Sequence, residues 1–485
     1  MGHQISAVEF CTEKNELPYS GIFADYGTGK TLMALMIIEI LRLIEEQKIR
    51  KVLIVAPSLA IETTWCDEIK KHSDFRFCIL KGTAKAKANL LEYVVGMMDK
   101  PERYGTNVKS ERPMLVLINY EGIKSIHEEL SRAGFDAVFA DESTKIKTHD
   151  AERTMALYKV SENIRHRYVM TGFPVTENIA ELYSQIKFLD RGKVFGQSYY
   201  AFINRYFVRF GQKLVVKKRA IKQILDLIKP FCIRITNESL KLPPKTYKEL
   251  SLEMTDQQRE LLTGLNDTFR LELGKVKIDT KYIFTLISKS LQICDGFVQH
   301  IEYEKKEVKG KLVNTNKIIS SELEIVDTNK DEALIETLNE IDITKNKVVI
   351  WCAFLFSVQK LERIFRKLGI RSISLTGATE DTNKVVKLFQ RSKEFNVILC
   401  TQKKAAESVT LTSARYAIYY SNIWSNDARL NSEARIRRKG SEIHKNIIYI
   451  NLLTKGSVEE KVYECLRKKK DLINELKTAF LEMKR

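Results

Sequence analysis

The residues best suited to phosphate chemistry lie in two places. In "GIFADYGTGKTLMALMII" (Gly21 to Ile38), Gly27 and Gly29 flank Thr28 and precede Lys30 and Thr31. Glycines there let backbone N–H groups fold around phosphate oxygens, a lysine neutralises β/γ charge, and a hydroxyl ligates Mg²⁺. The pattern G-x-x-x-x-G-K-[ST] is half met, because Ala24 stands at its first glycine. Further on, "AVFADEST" (Ala137 to Thr144) ends an apolar run in two adjacent carboxylates. Asp141 is placed to hold Mg²⁺ through water, and Glu142 to orient or deprotonate an attacking water. Taken singly, the loop reads as a phosphate cradle before a turn ahead of a core helix, and the carboxylates read first as a helix N-cap. Together they read as the two halves of a nucleoside triphosphate site.

Such side chains need rigid elements beneath them. "KVLIVAP", "MLVLIN", "DAVFADE" and "RYVMTG" are short runs, apolar and β-branched, separated by helical patterns. "KVVIWCAF", "SISLTG", "NVILCT", "YAIYYS" and "NIIYINLL" form a second set. Runs of this kind describe parallel strands buried on both faces, hence two doubly wound α/β units. Between them the pattern is mostly helical, with "TDQQ" (Thr255 to Gln258) as a capping box and Gly296 as a helix stop. "YFVRFGQKLVV" (Tyr206 to Val216) fits a hairpin, and the Lys-rich "YEKKEVKGKLVNTNK" (Tyr303 to Lys317) reads as loop. The tail from Ser457 reads as one basic amphipathic helix. The expected division is 1–190, 191–332 and 333–485: first lobe, helical insertions with linker, and second lobe with its C-terminal helix.

Lysine and arginine exceed aspartate and glutamate by 80 to 62, a net charge of +18 that calls for a polyanionic partner, nucleic acid before an anionic membrane. The 8 cysteines are scattered singly, without a C-x-x-C pair or a zinc spacing, as befits buried thiols in a reducing compartment. No apolar run is long enough to span a bilayer.

In motif order and over nearly its full length, the chain resembles the Swi2/Snf2 family of helicase superfamily two. "HQISAVEF" resembles the family's adenine-reading segment, with Gln4 in the key position. "APSLAIETTWCDEI" is similar to motif Ia with its following Trp, "INYEG" to Ib, and "DESTKIK" to the family's D-E-S/A-H-x-I-K. "MTGFPVTENIAELYSQIKFLD" resembles motif III most closely, and "LPPKTYKELSLEMTDQQ" the segment joining the lobes. In the second lobe "VVIWCAF" and "LTGAT" stand for motif IV and its turn. "TQKKAAESVTLTSA" stands for motif V, with Ala405, Ala406 and Ser408 where glycines are usual. "EARIRRKGS" keeps the R-x-x-R of motif VI as Arg435 and Arg438, with Ser441 in place of Gln.

The resemblance implies two RecA-like lobes sharing one ATP and Mg²⁺. Gln4, Gly27, Thr28, Gly29, Lys30 and Thr31 bind the nucleotide, Thr31 and Asp141 the metal, and Glu142 serves the water. Arg435 and Arg438 reach across as arginine fingers. It further implies a grip on double-stranded DNA through Ser58, Asn119 and Tyr120 in the first lobe and Thr376, Gly377, Thr401, Lys403 and Trp424 in the second. Tyr120 and Trp424 read as core before surface, and Lys403 equally as a solvated face. The run "KKRAIK" (Lys217 to Lys222) divides evenly between an accessory DNA contact and a helix surface. The expected activity is ATP-driven translocation on duplex DNA. A strand-separating DNA or RNA helicase and a non-enzymatic clamp are the alternatives. With no appended reader, nuclease or zinc module, the bare motor suits a bacterial or viral protein in the cytoplasm, or a nuclear one in a eukaryote.

Overall fold

A computed structural model describes residues 2–14, 17–44, 49–99, 112–210, 213–217, 219–236, 242–273, 280–308, 311–402 and 409–468. They fall into two compact units that divide between Lys241 and Leu242.

The first unit is built on a seven-stranded sheet. Its strands are β1 (Tyr19–Ala24), β2 (Lys51–Val55), β3 (Arg76–Ile79), β4 (Met114–Ile118), β5 (Ala137–Asp141), β6 (His166–Thr171) and β9 (Cys232–Ile235), in the order β3-β4-β2-β5-β6-β1-β9. Every pairing is parallel. Strands β1, β4, β5 and β6 are buried at every position, which is why they read as continuous apolar runs instead of alternating ones. The Lys30–Leu43 helix buries Met33, Ala34, Ile37, Ile38 and Leu41 in the same core as Ile22, Ile54 and Phe139. A small antiparallel hairpin, β7 (Phe207–Phe210) with β8 (Lys213–Val216), lies where "YFVRFGQKLVV" placed it.

The second unit carries β10 (Lys245–Leu252), β13 (Val348–Cys352), β14 (Ser372–Leu375), β15 (Val397–Thr401), β16 (Tyr416–Tyr419) and β17 (Ile447–Thr454). They form a parallel sheet in the order β10-β17-β16-β13-β15-β14. The segment 191–332, expected as helical insertions, is divided between the units: β9 is an edge strand of the first sheet and β10 of the second. It does hold the helices Asp256–Leu273 and Thr280–Cys294. The first is entered by reciprocal bonds from Thr255 N to Gln258 Oε1 (3.1 Å) and Gln258 N to Thr255 Oγ1 (3.2 Å). "YEKKEVKGKLVNTNK", expected as loop, instead contributes to a long antiparallel ribbon, β11 (Phe297–Val308) with β12 (Lys311–Ile325). Its charge density hid a strand whose pairing comes from its partner. Of the expected C-terminal helix, residues 458–468 are helical and 469–485 lie outside the described residues.

A buried charge cluster holds the base of that ribbon. Lys330, 0% exposed, donates to Asp295 Oδ1 at 3.0 Å, to Glu459 Oε1 at 2.5 Å and to the Tyr420 carbonyl at 2.9 Å. Ser357 and Ser421 hydroxyls satisfy Asp295 Oδ2 at 2.6 and 2.7 Å. Burial opposes the Lys330 charge, but Glu459 and Asp295 outweigh it and hold the ammonium above its ordinary range. Removing the cation strands two buried carboxylates. Lys330→Met is expected to cost about 3–5 kcal/mol, seen as a lower urea midpoint. The triple change with Asp295→Asn and Glu459→Gln should regain part of that loss, and a cost below about 1 kcal/mol for Lys330→Met would show that the cluster contributes no more than a surface pair.

The eight cysteines are unpaired and six are buried; burial pushes the Cys11 thiol up to about 12. Among the described residues no helix is long and apolar enough to cross a membrane.

Candidate functional site

In the first unit the loop between β1 and the Lys30–Leu43 helix turns through Gly27 and Gly29, whose φ values are +82° and +84°. At Gly29 a side chain is excluded twice, by that left-handed backbone and because a Cβ would lie 2.2 Å from Gln4 Nε2. Gly29 is the helix N-cap and supplies no capping side chain, so the first-turn N–H groups lack an acceptor from that position, as an anion cradle requires. Gln4, 9% exposed on the Gly2–Glu9 helix, donates from Nε2 to the Thr28 carbonyl at 3.1 Å, and His3 Nε2 lies 3.2 Å from the same oxygen. Lys30 Nζ donates to the Ala24 carbonyl at 3.1 Å and lies 5.1 Å from the centre of the Tyr26 ring.

The carboxylate pair sits at the end of β5. Asp141 is 7% exposed. Its Oδ2 accepts from Trp65 Nε1 at 2.9 Å, its Oδ1 from the Glu142 N–H at 3.0 Å, and its carbonyl from the Tyr120 hydroxyl at 2.7 Å. Glu142 has φ 51°, a left-handed backbone unusual for its type, and its Oε2 accepts from Thr171 Oγ1 at 3.3 Å. Burial, then the adjacent Glu142 charge, push the Asp141 carboxyl up to about 6, against the pull of Lys30 and the Trp65 bond. Two adjacent carboxylates, one buried, create the electrostatic need that a divalent cation meets. The loop and the strand end leave the same edge of the sheet, for β1 and β5 both pair with β6, Phe23 opposite Thr171 and Asp141 opposite Met170.

Sequence reasoning missed two supports of this site. Trp65 orients the Asp141 carboxylate across 76 positions. Arg234 on β9, its side chain 1% exposed, donates to the Phe23 carbonyl at 2.8 Å and the Gly172 carbonyl at 2.9 Å, and pairs with Asp25. It ties the start of the phosphate loop to motif III from a strand that the sequence placed among insertions. The short run "FCIRIT" was its one local signal.

The expected DNA-facing residues divide. Asn119 Nδ2 donates to Ser58 Oγ at 2.7 Å while its Oδ1 caps the following helix through the Gly122 N–H, so these two residues form one surface group. Tyr120 does not join them: it is 4% exposed and its hydroxyl supports Asp141, so its side chain belongs to the core. In the second unit Trp424 is 38% exposed and Gly377 is open, whereas Thr376 and Thr401 are 7% and 9% exposed. Their hydroxyls therefore offer little surface, and Thr376 Oγ1 accepts from Ala378 N within its own turn at 3.3 Å. Lys403 and the motif V residues through Ser408 lie outside the described residues.

The two motif VI arginines also differ. Arg435, on the Asn426–Ile436 helix, is 5% exposed and donates from Nε to the Asn431 carbonyl (3.1 Å) and from Nη1 to the Val409 carbonyl (3.4 Å). Its guanidinium is thus bonded within its own unit, at the carbonyls of Asn431 and Val409. Arg438, beyond the helix end, is partly exposed, and its carbonyl accepts the N–H of the buried Ser441 at 2.9 Å.

Residues 3–300 match the SNF2-related domain, and residues 329–440 match the Helicase conserved C-terminal domain. Similar proteins include the DNA repair and recombination protein RDH54 of Saccharomyces cerevisiae strain RM11-1a (25% identity over 373 residues, 72% of this chain and 39% of that protein). Others are YwqA of Bacillus subtilis (24% over 380 residues, 76% and 38%) and the TATA-binding protein-associated factor mot1 of Aspergillus fumigatus (23% over 519 residues, 97% and 26%). The chain spans less than two fifths of the length of these relatives. Among solved structures, the Sulfolobus solfataricus SWI2/SNF2 ATPase core in complex with dsDNA is similar at 19% identity, with 99% of this chain and 94% of that chain covered and a TM-score of 0.41.

Proposed function

The chain belongs to the SNF2-related family of helicase-superfamily ATPases, and from that premise we propose that it is an ATP-driven translocase on double-stranded DNA. The observation that carries the reading is that the glycine-lysine loop after β1 and the Asp141–Glu142 pair at the end of β5 leave the same edge of one parallel sheet, β1 and β5 both pairing with β6. Bound Mg·ATP supplies the phosphoanhydride whose cleavage drives the cycle. In this reading Lys30 would neutralise the β/γ-phosphates, Thr31 and Asp141 would hold Mg²⁺, Glu142 would orient the attacking water, and Gln4 would read the base. Arg435 and Arg438 are the arginine fingers of this reading, acting on the charge of the transferring phosphoryl group. The Ser58–Asn119 pair, Gly377 and Trp424 meet the duplex, mainly at its phosphates, as the net charge of +18 favours. Conformational cycles driven by ATP binding and hydrolysis would then step the protein along the duplex.

The decisive experiment compares steady-state ATPase rates with duplex DNA, single-stranded DNA and RNA. Duplex DNA is expected to stimulate most, with affinity falling steeply as salt rises and little dependence on base sequence. Displacement of a third strand from a triplex should require ATP, while tailed duplexes stay paired. Equal or greater stimulation by RNA, or efficient unwinding, would favour a strand-separating helicase. Binding without any turnover would leave a clamp.

A further inference from the structure

We propose that Tyr26 is a positioning residue for ATP hydrolysis, its ring setting the place of the Lys30 ammonium against the backbone that follows β6. This rests on the reading of Lys30 as the cation that meets the β/γ-phosphates, and it adds a residue that stands at an undefined position of the G-x-x-x-x-G-K-[ST] pattern. The ring touches two parts of the site. Lys30 Nζ lies 5.1 Å from its centre, and its phenol end lies against Gly172.

Local structure fixes the corner that carries the ring. Asp25 to Thr28 form a turn, closed by the Thr28 N–H on the Asp25 carbonyl at 3.3 Å and braced by Thr28 Oγ1 on the same oxygen at 2.7 Å. Gly27, at φ +82°, takes the third position of that turn, where a type II turn requires positive φ, and Tyr26 takes the second. Asp25 is anchored in its turn by the ion pair with Arg234. Lys30 is held by two different attractions: the Ala24 carbonyl accepts one N–H at 3.1 Å, and the face of the Tyr26 ring attracts the charge. Together they select one placement of a long, flexible side chain.

Gly172 shows how closely the ring fits. The three heavy atoms nearest to a Cβ placed there all belong to Tyr26: Cζ at 2.8 Å, Cε2 at 3.0 Å and Cε1 at 3.2 Å. The φ of Gly172 is not positive, so the ring, and not the backbone conformation, excludes a side chain at this position. The neighbouring Thr171 donates from Oγ1 to Glu142 Oε2 at 3.3 Å, and Arg234 holds the Gly172 carbonyl at 2.9 Å. A line of contacts therefore runs from Lys30 through the Tyr26 ring, Gly172 and Thr171 to Glu142. The ring is the link in it that a single substitution can remove without touching either Lys30 or Glu142.

The test is steady-state ATPase of the full chain, with turnover expressed per nucleotide-binding site counted by titration with ATP. Tyr26→Leu keeps bulk but removes the face of the ring; it should lower kcat by about tenfold to a hundredfold, the scale of a displaced catalytic group, while the KM for ATP stays nearly unchanged. Tyr26→Phe keeps the ring and should keep the wild-type rate. Gly172→Ala should lower kcat in the wild-type background, where its methyl displaces the ring, and add no further loss to Tyr26→Ala. Tyr26→Leu as active as Tyr26→Phe, or Gly172→Ala equally costly with and without the ring, would overturn the assignment. Fewer binding sites with wild-type turnover at each would overturn it too, as the mark of a ring that serves folding alone. Near-normal turnover in Lys30→Ala would instead withdraw the reading of the loop on which the role of Tyr26 rests.

Discussion

Lys30→Ala brings ATP turnover down to the assay background, and Glu142→Gln leaves ATP bound but turned over slowly; that contrast is the first expected result. Lys30 is the cation that the glycine-rich loop itself contributes, its ammonium donating to the Ala24 carbonyl at 3.1 Å. Without it the β/γ charge develops uncompensated, and loss of one such stabiliser costs on the order of 10²–10³ in rate. Ground-state affinity should fall as well, because the same charge attracts bound phosphates. Glu142→Gln is nearly isosteric: the backbone N–H to Asp141 Oδ1 and the contact with Thr171 both survive the change. What it removes is the carboxylate proposed to orient the attacking water. Nucleotide binding by fluorescence and steady-state ATPase would be measured on both variants, and near-normal turnover in either would refute the site.

Arg438→Ala is expected to lower turnover by about 10³, the scale of an arginine finger, while ATP affinity changes far less. A finger acts on the transition state more than on the ground state, so binding and rate should separate. Arg435→Ala is the informative comparison. Arg435 is 5% exposed and its guanidinium donates to the Asn431 and Val409 carbonyls, so its loss should lower the stability of the second unit as well as turnover. Parallel loss of binding and turnover in Arg438→Ala would reassign it to a ground-state or structural role.

The chemistry of the nucleotide site was legible because its parts are local. A loop that wraps phosphate needs its glycines, lysine and threonine contiguous, and a strand that presents Asp141 and Glu142 needs the apolar run directly before them. The parallel sheets were legible for the same reason: strands buried on both faces, such as Val348–Cys352, are apolar at every position. The ribbon Phe297–Ile325 was not, since its sequence is dense in charge and its strand character arises from pairing across the turn.

Long-range contacts decided the rest. The side chain of Tyr120 reads from sequence as either core or surface; its bond to the Asp141 carbonyl, 21 positions away, makes it core. Trp424 admits the same two readings, and its 38% exposure makes it surface. Arg435 and Arg438 belong to one motif, yet the last turn of a helix buries the first and leaves the second partly open. Arg234 meets the phosphate loop across 211 positions, at the Phe23 carbonyl, and no local pattern encodes such a contact. By itself, then, the amino-acid order determined which groups can bind phosphate and which segments can pair into parallel sheets, because those properties depend on neighbours along the chain. Which side chains brace the site, and which ring lies against Gly172, depended on neighbours in space, and folding alone creates those.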